Sequence, residues 1–251
     1  MKLSQNFLID EGVAERQISY ACLKDGDVVL EIGAGNGILT RRMAKIAKVI
    51  AIELDERFIS RLKKIKNVEV IHGDALKIDF REIEFNKVVS NIPYHISSPL
   101  TFKLLEKKFD LGILMYQKEF AERLAAKPGS KQYSRLSVMA YAKADVEILE
   151  TVPKKAFRPV PKVDSCIVKI VPIGKRFEVN EKLFKRVVKA LFAHRRKKIK
   201  NALLLEGLID KEKAIPFGEE RIEHIEPEKI VEICKVIESG DNGGENEKKN
   251  I

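Results

Sequence analysis

The stretch Val28-Val29-Leu30-Glu31-Ile32-Gly33-Ala34-Gly35-Asn36-Gly37 decides the fold. Its first five residues form a short, nearly continuous apolar run, the pattern of a strand buried on both faces. The glycines that follow let the chain turn sharply and bring backbone N–H groups close to a ligand. Outward from this stretch the pattern repeats. A basic amphipathic helix is predicted through Arg41, Arg42 and Lys45, then a second strand from Val49 to Ile52. Strands from Val68 to Ile71, Lys87 to Ser90 and Leu111 to Met115 complete a set of five. Buried strands alternating with helices imply an α/β fold, a parallel Rossmann-like sheet with right-handed crossovers whose ligands bind beyond the strands' carboxyl ends.

After Tyr141 the pattern changes. Asp145 to Glu150 and Ser165 to Val171 read as short strands, separated by a loop carrying Pro153, Pro159 and Pro161. A loop this long serves as a flexible connector or a functional element. From Asn180 to Gly240 only helical periodicity remains, with Leu183, Phe184, Val187, Val188 and Leu191 at three- and four-residue steps. Asn180 is placed to cap that helix, with Glu181 in its first turn. The expected organisation is a catalytic α/β domain over residues 1–173, a small C-terminal all-α domain over 174–240, and a disordered tail over 241–251, which holds almost no apolar side chains.

Composition narrows the class. A chain of 251 residues with 45% hydrophobic side chains builds a core, which excludes wholesale disorder. The apolar runs, Val49-Ile50-Ala51-Ile52 among them, are too short to span a membrane, and the N-terminus carries no apolar signal core; a cytoplasmic protein is expected. Cys22, Cys166 and Cys234 are odd in number and widely scattered, which favours reduced structural thiols over disulfides. His72, His95, His194 and His224 lack ligand spacing, so no metal site is expected. Forty-seven Lys+Arg against 37 Asp+Glu give a net charge of +10, which points to a polyanionic partner. The charge is concentrated: residues 174–200 hold eleven Lys and Arg against two Glu, and residues 201–240 hold five against ten acids. Arg195-Arg196-Lys197-Lys198 and Lys200 are therefore expected to form a phosphate-binding surface on a helix. The Lys/Glu-rich, Gln-poor balance hints at a thermophilic source.

Three strand ends carry the chemistry. After Gly33 and Gly35, a dinucleotide fingerprint requires Gly or Ala where Ile38 stands. Glu53 ends the second strand, where a carboxylate accepts both ribose hydroxyls of an adenosine. Asp74, in Gly73-Asp74-Ala75-Leu76, follows the third strand and is placed to accept from an adenine amino group. Together they describe an adenosine pocket without a diphosphate cradle, which fits S-adenosylmethionine better than NAD. Ser90-Asn91-Ile92-Pro93-Tyr94 follows the fourth strand and sets the reaction class. An amine on an aromatic base is a poor nucleophile, and acceptors facing its N–H bonds stabilise the charge that develops on methyl transfer. Asn91 offers a side-chain oxygen, Pro93 fixes the turn, and Tyr94 offers a stacking face worth roughly 1–3 kcal/mol. Cytosine C5 chemistry would need a Pro-Cys nucleophile, and none of the cysteines follows a proline.

The motifs resemble those of the small-subunit ribosomal RNA adenine N6,N6-dimethyltransferases over nearly the whole chain, from Lys2 to about Ile237. The resemblance rests on Ser4-Gln5-Asn6-Phe7-Leu8, the glycine loop, Asn91-Ile92-Pro93-Tyr94-His95-Ile96-Ser97-Ser98-Pro99-Leu100 and Gln117-Lys118-Glu119. It continues through Tyr133-Ser134-Arg135-Leu136-Ser137-Val138, Phe157-Arg158-Pro159-Val160-Pro161-Lys162-Val163-Asp164-Ser165 and Arg195-Arg196-Lys197. Ser4 stands where glycine is usual, and of the basic arm that normally precedes it only Lys2 remains. The resemblance implies that Asn6, Leu8, Gly33, Glu53, Asp74 and Asn91 contact the cofactor, with Gly35 and Ala75 beside them. It implies that Asn91, Pro93, Tyr94 and Phe157 hold the target adenine, that Phe157 is a second stacking wall, and that Arg158 meets RNA.

The expected function is transfer of methyl groups from S-adenosylmethionine to N6 of two adjacent adenosines in small-subunit ribosomal RNA. The expected setting is a monomer acting on a pre-ribosomal particle. Two rivals are a large-subunit methyltransferase of the macrolide-resistance type, which shares the Asn91–Tyr94 loop, and a non-catalytic ribosome-assembly or transcription factor on the same fold.

Overall fold

The computed structural model describes residues 6–241. The disordered tail expected over 241–251 lies outside them, save Asp241, which ends the last helix. The chain divides into two units, Met1–Glu122 with Ala144–Gly174, and Arg123–Lys143 with Lys175–Ile251.

The first unit is built in chain order from β1 (Phe7–Leu8), α1 (Glu11–Tyr20), β2 (Val28–Ile32), α2 (Thr40–Met43), β3 (Lys48–Glu53), α3 (Glu56–Leu62), β4 (Val68–His72), β5 (Lys87–Asn91), α4 (Ser97–Leu104) and β6 (Leu111–Gln117). After α5 (Lys118–Leu124) and α6 (Arg135–Tyr141), β7 (Ala144–Val152), β8 (Phe157–Arg158) and β9 (Ser165–Pro172) complete its strands. The main sheet has seven strands in the order β4-β3-β2-β5-β6-β9-β7. β2 to β6 are parallel, as the buried apolar runs require, and β9 runs antiparallel between β6 and β7. The two late strands thus extend the five-stranded set. The helix expected through Lys45 is shorter: α2 ends at Met43, and hydrogen-bonded turns carry the chain to Ala47. Aspartates mark helix starts: Asp10 Oδ1 accepts the Val13 N–H at 3.0 Å and Asp55 Oδ1 accepts the Arg57 N–H at 3.1 Å. Such caps contribute about 1 kcal/mol each.

What positions the site is the reversal of strand order at β2. β2 pairs with β3 through five residues, from Val28 to Ile32. Its ladder with β5 is registered only at Val29↔Lys87 and Leu30↔Val88. Beyond that point a side chain takes over: the Ser90 hydroxyl donates to the Ile32 carbonyl at 2.6 Å and accepts the Ile32 N–H at 3.3 Å. Such a switch point leaves a crevice at the strands' carboxyl ends. β1 and β8, two residues each, pair antiparallel in a separate sheet with Phe7↔Arg158 and Leu8↔Phe157. The Pro-spaced loop between β7 and β9, expected as a flexible connector or a functional element, therefore contains a strand.

The second unit is helical: α6, α7 (Glu181–Ala193), α8 (Ile199–Leu205) and α9 (Pro227–Asp241). Asn180 caps α7, its Oδ1 accepting from the Lys182 and Leu183 N–H groups. Phe184, Val187, Val188 and Leu191 point into a core shared with Ile199, Leu203, Ile230 and Ile233. The expected boundary at Gly174 needs a correction upstream, because Arg123–Lys143 belongs to this unit as well. Tyr133 and Val138 lie in the helical core, and the buried Tyr133 hydroxyl donates to the Ile225 carbonyl at 2.8 Å. A second correction concerns the basic run. α7 stops at Ala193 and α8 starts at Ile199, so Arg195 to Lys198 lie in the turn between them, not along a helix.

Candidate functional site

A cavity of about 240 Å³ opens at the carboxyl ends of β2, β3, β4 and β5. Asn6, Leu8, Gly33, Gly35, Glu53, Asp74, Ala75, Asn91, Pro93, Tyr94 and Phe157 all line it, so the cofactor and base residues read from the sequence converge on one place. The wall also includes Phe7, Glu31, Ile38, His95 and Met115.

The glycine loop is held open for a ligand by its own backbone. Gly33 has φ +73° and Gly35 has φ +51°, the left-handed region that favours glycine. A Cβ on Gly33 would stand 3.4 Å from Pro93 Cγ, and one on Gly35 would stand 3.1 Å from Phe7 Cε1. The loop is tied to the next strand through Glu53, which is 4% exposed. Glu53 Oε2 accepts the Gly35 N–H at 2.7 Å, and its Oε1 accepts the Asp55 N–H at 2.8 Å. Its carboxylate is thereby fixed in the wall, with further lone pairs for ribose hydroxyls. Asp74 is oriented similarly, its Oδ1 accepting the Leu76 N–H at 2.9 Å. The Lys103 ammonium donates to the Leu76 carbonyl at 2.5 Å and braces that loop from α4.

Glu31 is the wall residue that sequence reasoning passed over, although it stands inside the deciding stretch. Its carboxyl is 2% exposed and receives the Thr40 hydroxyl at 2.6 Å. Burial pushes its pKa up to about 8, with the nearby Glu53 charge adding to the rise.

The Asn91 side-chain oxygen is buried and has no hydrogen-bond partner among the described residues. An unpaired buried acceptor is costly unless a ligand completes it, and this one belongs to a residue of the cavity wall. The following turn is pinned from behind: the Ser97 hydroxyl donates to the Tyr94 carbonyl at 3.1 Å, and Thr101 Oγ1 donates to the Ser97 carbonyl at 2.7 Å. The Tyr94 hydroxyl meets Ser165 Oγ at 2.9 Å, and burial raises its pKa above the usual phenol value. Sequence gave no sign of the Ser165 contact. Phe157, 2% exposed, lies in the apolar core of the first unit and also borders the cavity. Its pairing with Leu8 brings the amino-terminal motif to the same wall. A narrow pocket with acid-lined strand ends, a glycine cradle and an orphaned acceptor fits an adenosyl cofactor and an exocyclic amine.

The basic residues are placed unequally. Arg158, Arg196 and Lys197 are exposed. Arg195 instead turns inward: its Nη2 donates to the Ser130 carbonyl at 3.0 Å and its Nε is buried. Lys198 pairs with Glu219 at 2.6 Å, and Lys200 is half-buried with its N–H on the Gly218 carbonyl. Of the five basic residues expected on a phosphate surface, only Arg196 and Lys197 are exposed with no ion-pair partner among the described residues.

Comparison with known proteins places this geometry. The family model of ribosomal RNA adenine dimethylases matches residues 1–239. A protein of Methanosarcina acetivorans described as a probable ribosomal RNA small subunit methyltransferase A is 48% identical, covering 93% of this chain and 91% of that protein. One of the same description from Methanopyrus kandleri is 44% identical, covering 95% and 92%. Among solved structures, a dimethyladenosine transferase from Plasmodium falciparum superposes with a TM-score of 0.81 at 32% identity, covering 94% of this chain and 98% of that one. The 23S rRNA methyltransferase ErmE gives 0.72 at 27% identity, covering 92% and 99%.

Proposed function

Because the chain belongs to the ribosomal RNA adenine dimethylase family, we propose that its cavity methylates N6 of adenosines in small-subunit ribosomal RNA and that its residues divide the work as follows. S-adenosylmethionine supplies the methyl group as an electrophile on sulfur. Glu53 binds the ribose hydroxyls, Asp74 accepts from the adenine amino group of the cofactor, and the Gly33–Gly35 backbone admits the ligand where a side chain would block it. Asn6, Leu8 and Ala75 complete that wall.

The target base leaves its stack at a cost of a few kcal/mol. Tyr94, fixed by Ser165, and Phe157 stack on it and offset that cost. Asn91 Oδ1 accepts an N–H of the target amine, and with the turn carbonyls beside Pro93 it favours pyramidal nitrogen and stabilises the positive charge that forms as nitrogen bonds to the methyl carbon while the carbon–sulfur bond breaks and its electron pair leaves on sulfur as a neutral thioether. The methylated nitrogen is then acidic enough to release its proton to water, so no general base is required. A second round on the same nitrogen gives the dimethyl product. Arg158 on the first unit, with Arg196 and Lys197 on the second, meets RNA phosphates. The proposed substrate is a pair of adjacent adenosines within an assembling small subunit, met by a cytoplasmic monomer.

The observation that carries this reading is the unpartnered Asn91 oxygen in a residue of the same wall as Glu53 and Asp74. Asn91→Ala tests it. RNA affinity stays near wild type while single-turnover methyl transfer at saturating cofactor and RNA falls, since the lost acceptor acts on charge in the transition state. An unchanged single-turnover rate contradicts the assignment.

A further inference from the structure

The segment between β7 and β9 is a closed loop with an unusual surface. Its neck is held by Asp164, whose Oδ1 accepts the Lys154 N–H at 2.9 Å and whose carbonyl accepts the Lys118 N–H at 3.0 Å. Between Lys154 and Val163 there is no carboxylate, while Lys154, Lys155, Arg158 and Lys162 are all exposed. None of these four cations has an ion-pair partner among the described residues. Strand alternation sorts the centre of the loop: Phe157 faces the cavity and Arg158, the next residue, is exposed. Aliphatic side chains are interleaved with the cations, Val160 at 59% and Val163 at 44% exposure. Ile9, 47% exposed, is tied to the start of the loop by its N–H on the Ala156 carbonyl.

We infer that this loop, through Lys154, Lys155 and Lys162 with Val160 and Val163, is a binding surface for the single-stranded RNA that flanks the base held in the cavity. The inference rests on the proposed function, since a base drawn into the cavity leaves its neighbours' faces uncovered and its flanking phosphates at the rim. Cations alone would serve any polyanion. Exposed aliphatic groups between them fit the faces of unstacked bases, which a closed duplex does not offer. The contact lies wholly on the first unit and so is separable from the basic turn of the second.

The test uses the full chain with Lys154, Lys155 and Lys162 all changed to Gln. Wild type and variant are titrated at several salt concentrations with a single-stranded oligoribonucleotide containing adenosine and with a fully paired hairpin. Each lost phosphate contact on a single strand removes about 0.7 from the slope of log affinity against log salt, so the triple variant should lose about 2. Hairpin slope and S-adenosylmethionine affinity stay unchanged. Val160→Ser with Val163→Ser should weaken the single-strand complex several-fold with its slope intact. Identical single-strand slopes for wild type and the triple variant overturn the inference while leaving methyl transfer and the proposed function standing. Equal slope losses on strand and hairpin overturn its single-strand character. A wild type that binds S-adenosylmethionine but no RNA overturns both readings.

Discussion

Glu53 offers a quantitative test of the cofactor pocket, because the obvious conservative replacement is not conservative there. Both carboxylate oxygens already accept a backbone N–H, Oε2 from Gly35 at 2.7 Å and Oε1 from Asp55 at 2.8 Å. Glu53→Ala removes the charged acceptor for two ribose hydroxyls, a loss of roughly 1.5–3 kcal/mol. That weakens S-adenosylmethionine about 10- to 150-fold. Glu53→Gln keeps the shape, yet whichever way the amide turns, its NH2 faces one of the two backbone donors. The glutamine must rotate away or force the glycine loop to shift, so its loss of affinity should match that of alanine. Two backbone donors left to water cost the fold about 1 kcal/mol, roughly 2–4 °C in melting temperature. Calorimetric titration of the three proteins with S-adenosylmethionine, with melting curves as the control for folding, decides the matter. A glutamine variant with wild-type affinity would mean that the two backbone bonds do not fix the carboxylate.

Glu31 adds a pH test: below its usual value of 4.5 it is protonated in both folded and unfolded chains, and between there and about 8 only the folded protein keeps the proton. Stability should therefore fall as pH rises through that window, and Glu31→Gln should flatten the fall in melting curves from pH 5 to 8.5; parallel curves would show that the carboxyl ionises freely. The Tyr94–Ser165 bond predicts coupled losses in single-turnover rate: Tyr94→Phe, Ser165→Ala and the double variant should all be slowed alike, with a coupling of about 0.5–1.5 kcal/mol, whereas additive losses would make Ser165 merely structural. In the helical unit, Arg196→Gln with Lys197→Gln should flatten the salt slope of rRNA binding by about 1.4–1.8. Arg195→Gln should instead lower the melting temperature with little change of slope; the reverse pattern would return Arg195 to the RNA surface.

The parts of this molecule that were legible in the sequence are those whose cause is local. The run at Val28–Ile32 needs burial on both faces, Gly33 and Gly35 need positive φ, and Asn180 needs only the next turn of α7 to act as a cap. Glu53 and Asp74 were legible because a parallel sheet brings consecutive strand ends together. What sequence left unread depends on distant partners. The pairing of Phe7–Leu8 with Phe157–Arg158 involves two residues on each side, too few for any periodicity. The place of residues 123–143 in the helical unit depends on long-range packing: Tyr133 and Val138 enter its core, and the Tyr133 hydroxyl reaches the Ile225 carbonyl. Arg195 looks like its neighbours in composition and differs only because the Ser130 carbonyl lies within its reach.

Placement of methyl groups on N6 of small-subunit rRNA adenosines is read out on isolated ribosomal subunits. Unmodified small and large subunits are incubated separately with the protein and S-adenosylmethionine labelled in the methyl group, the label is mapped on the intact rRNA, and the labelled nucleoside is identified after digestion. Label is expected in N6,N6-dimethyladenosine at adjacent positions of the small-subunit RNA, and strongly reduced with Asn91→Ala. Label on the large-subunit RNA, on another base, or on an adenosine atom other than N6 would contradict that placement.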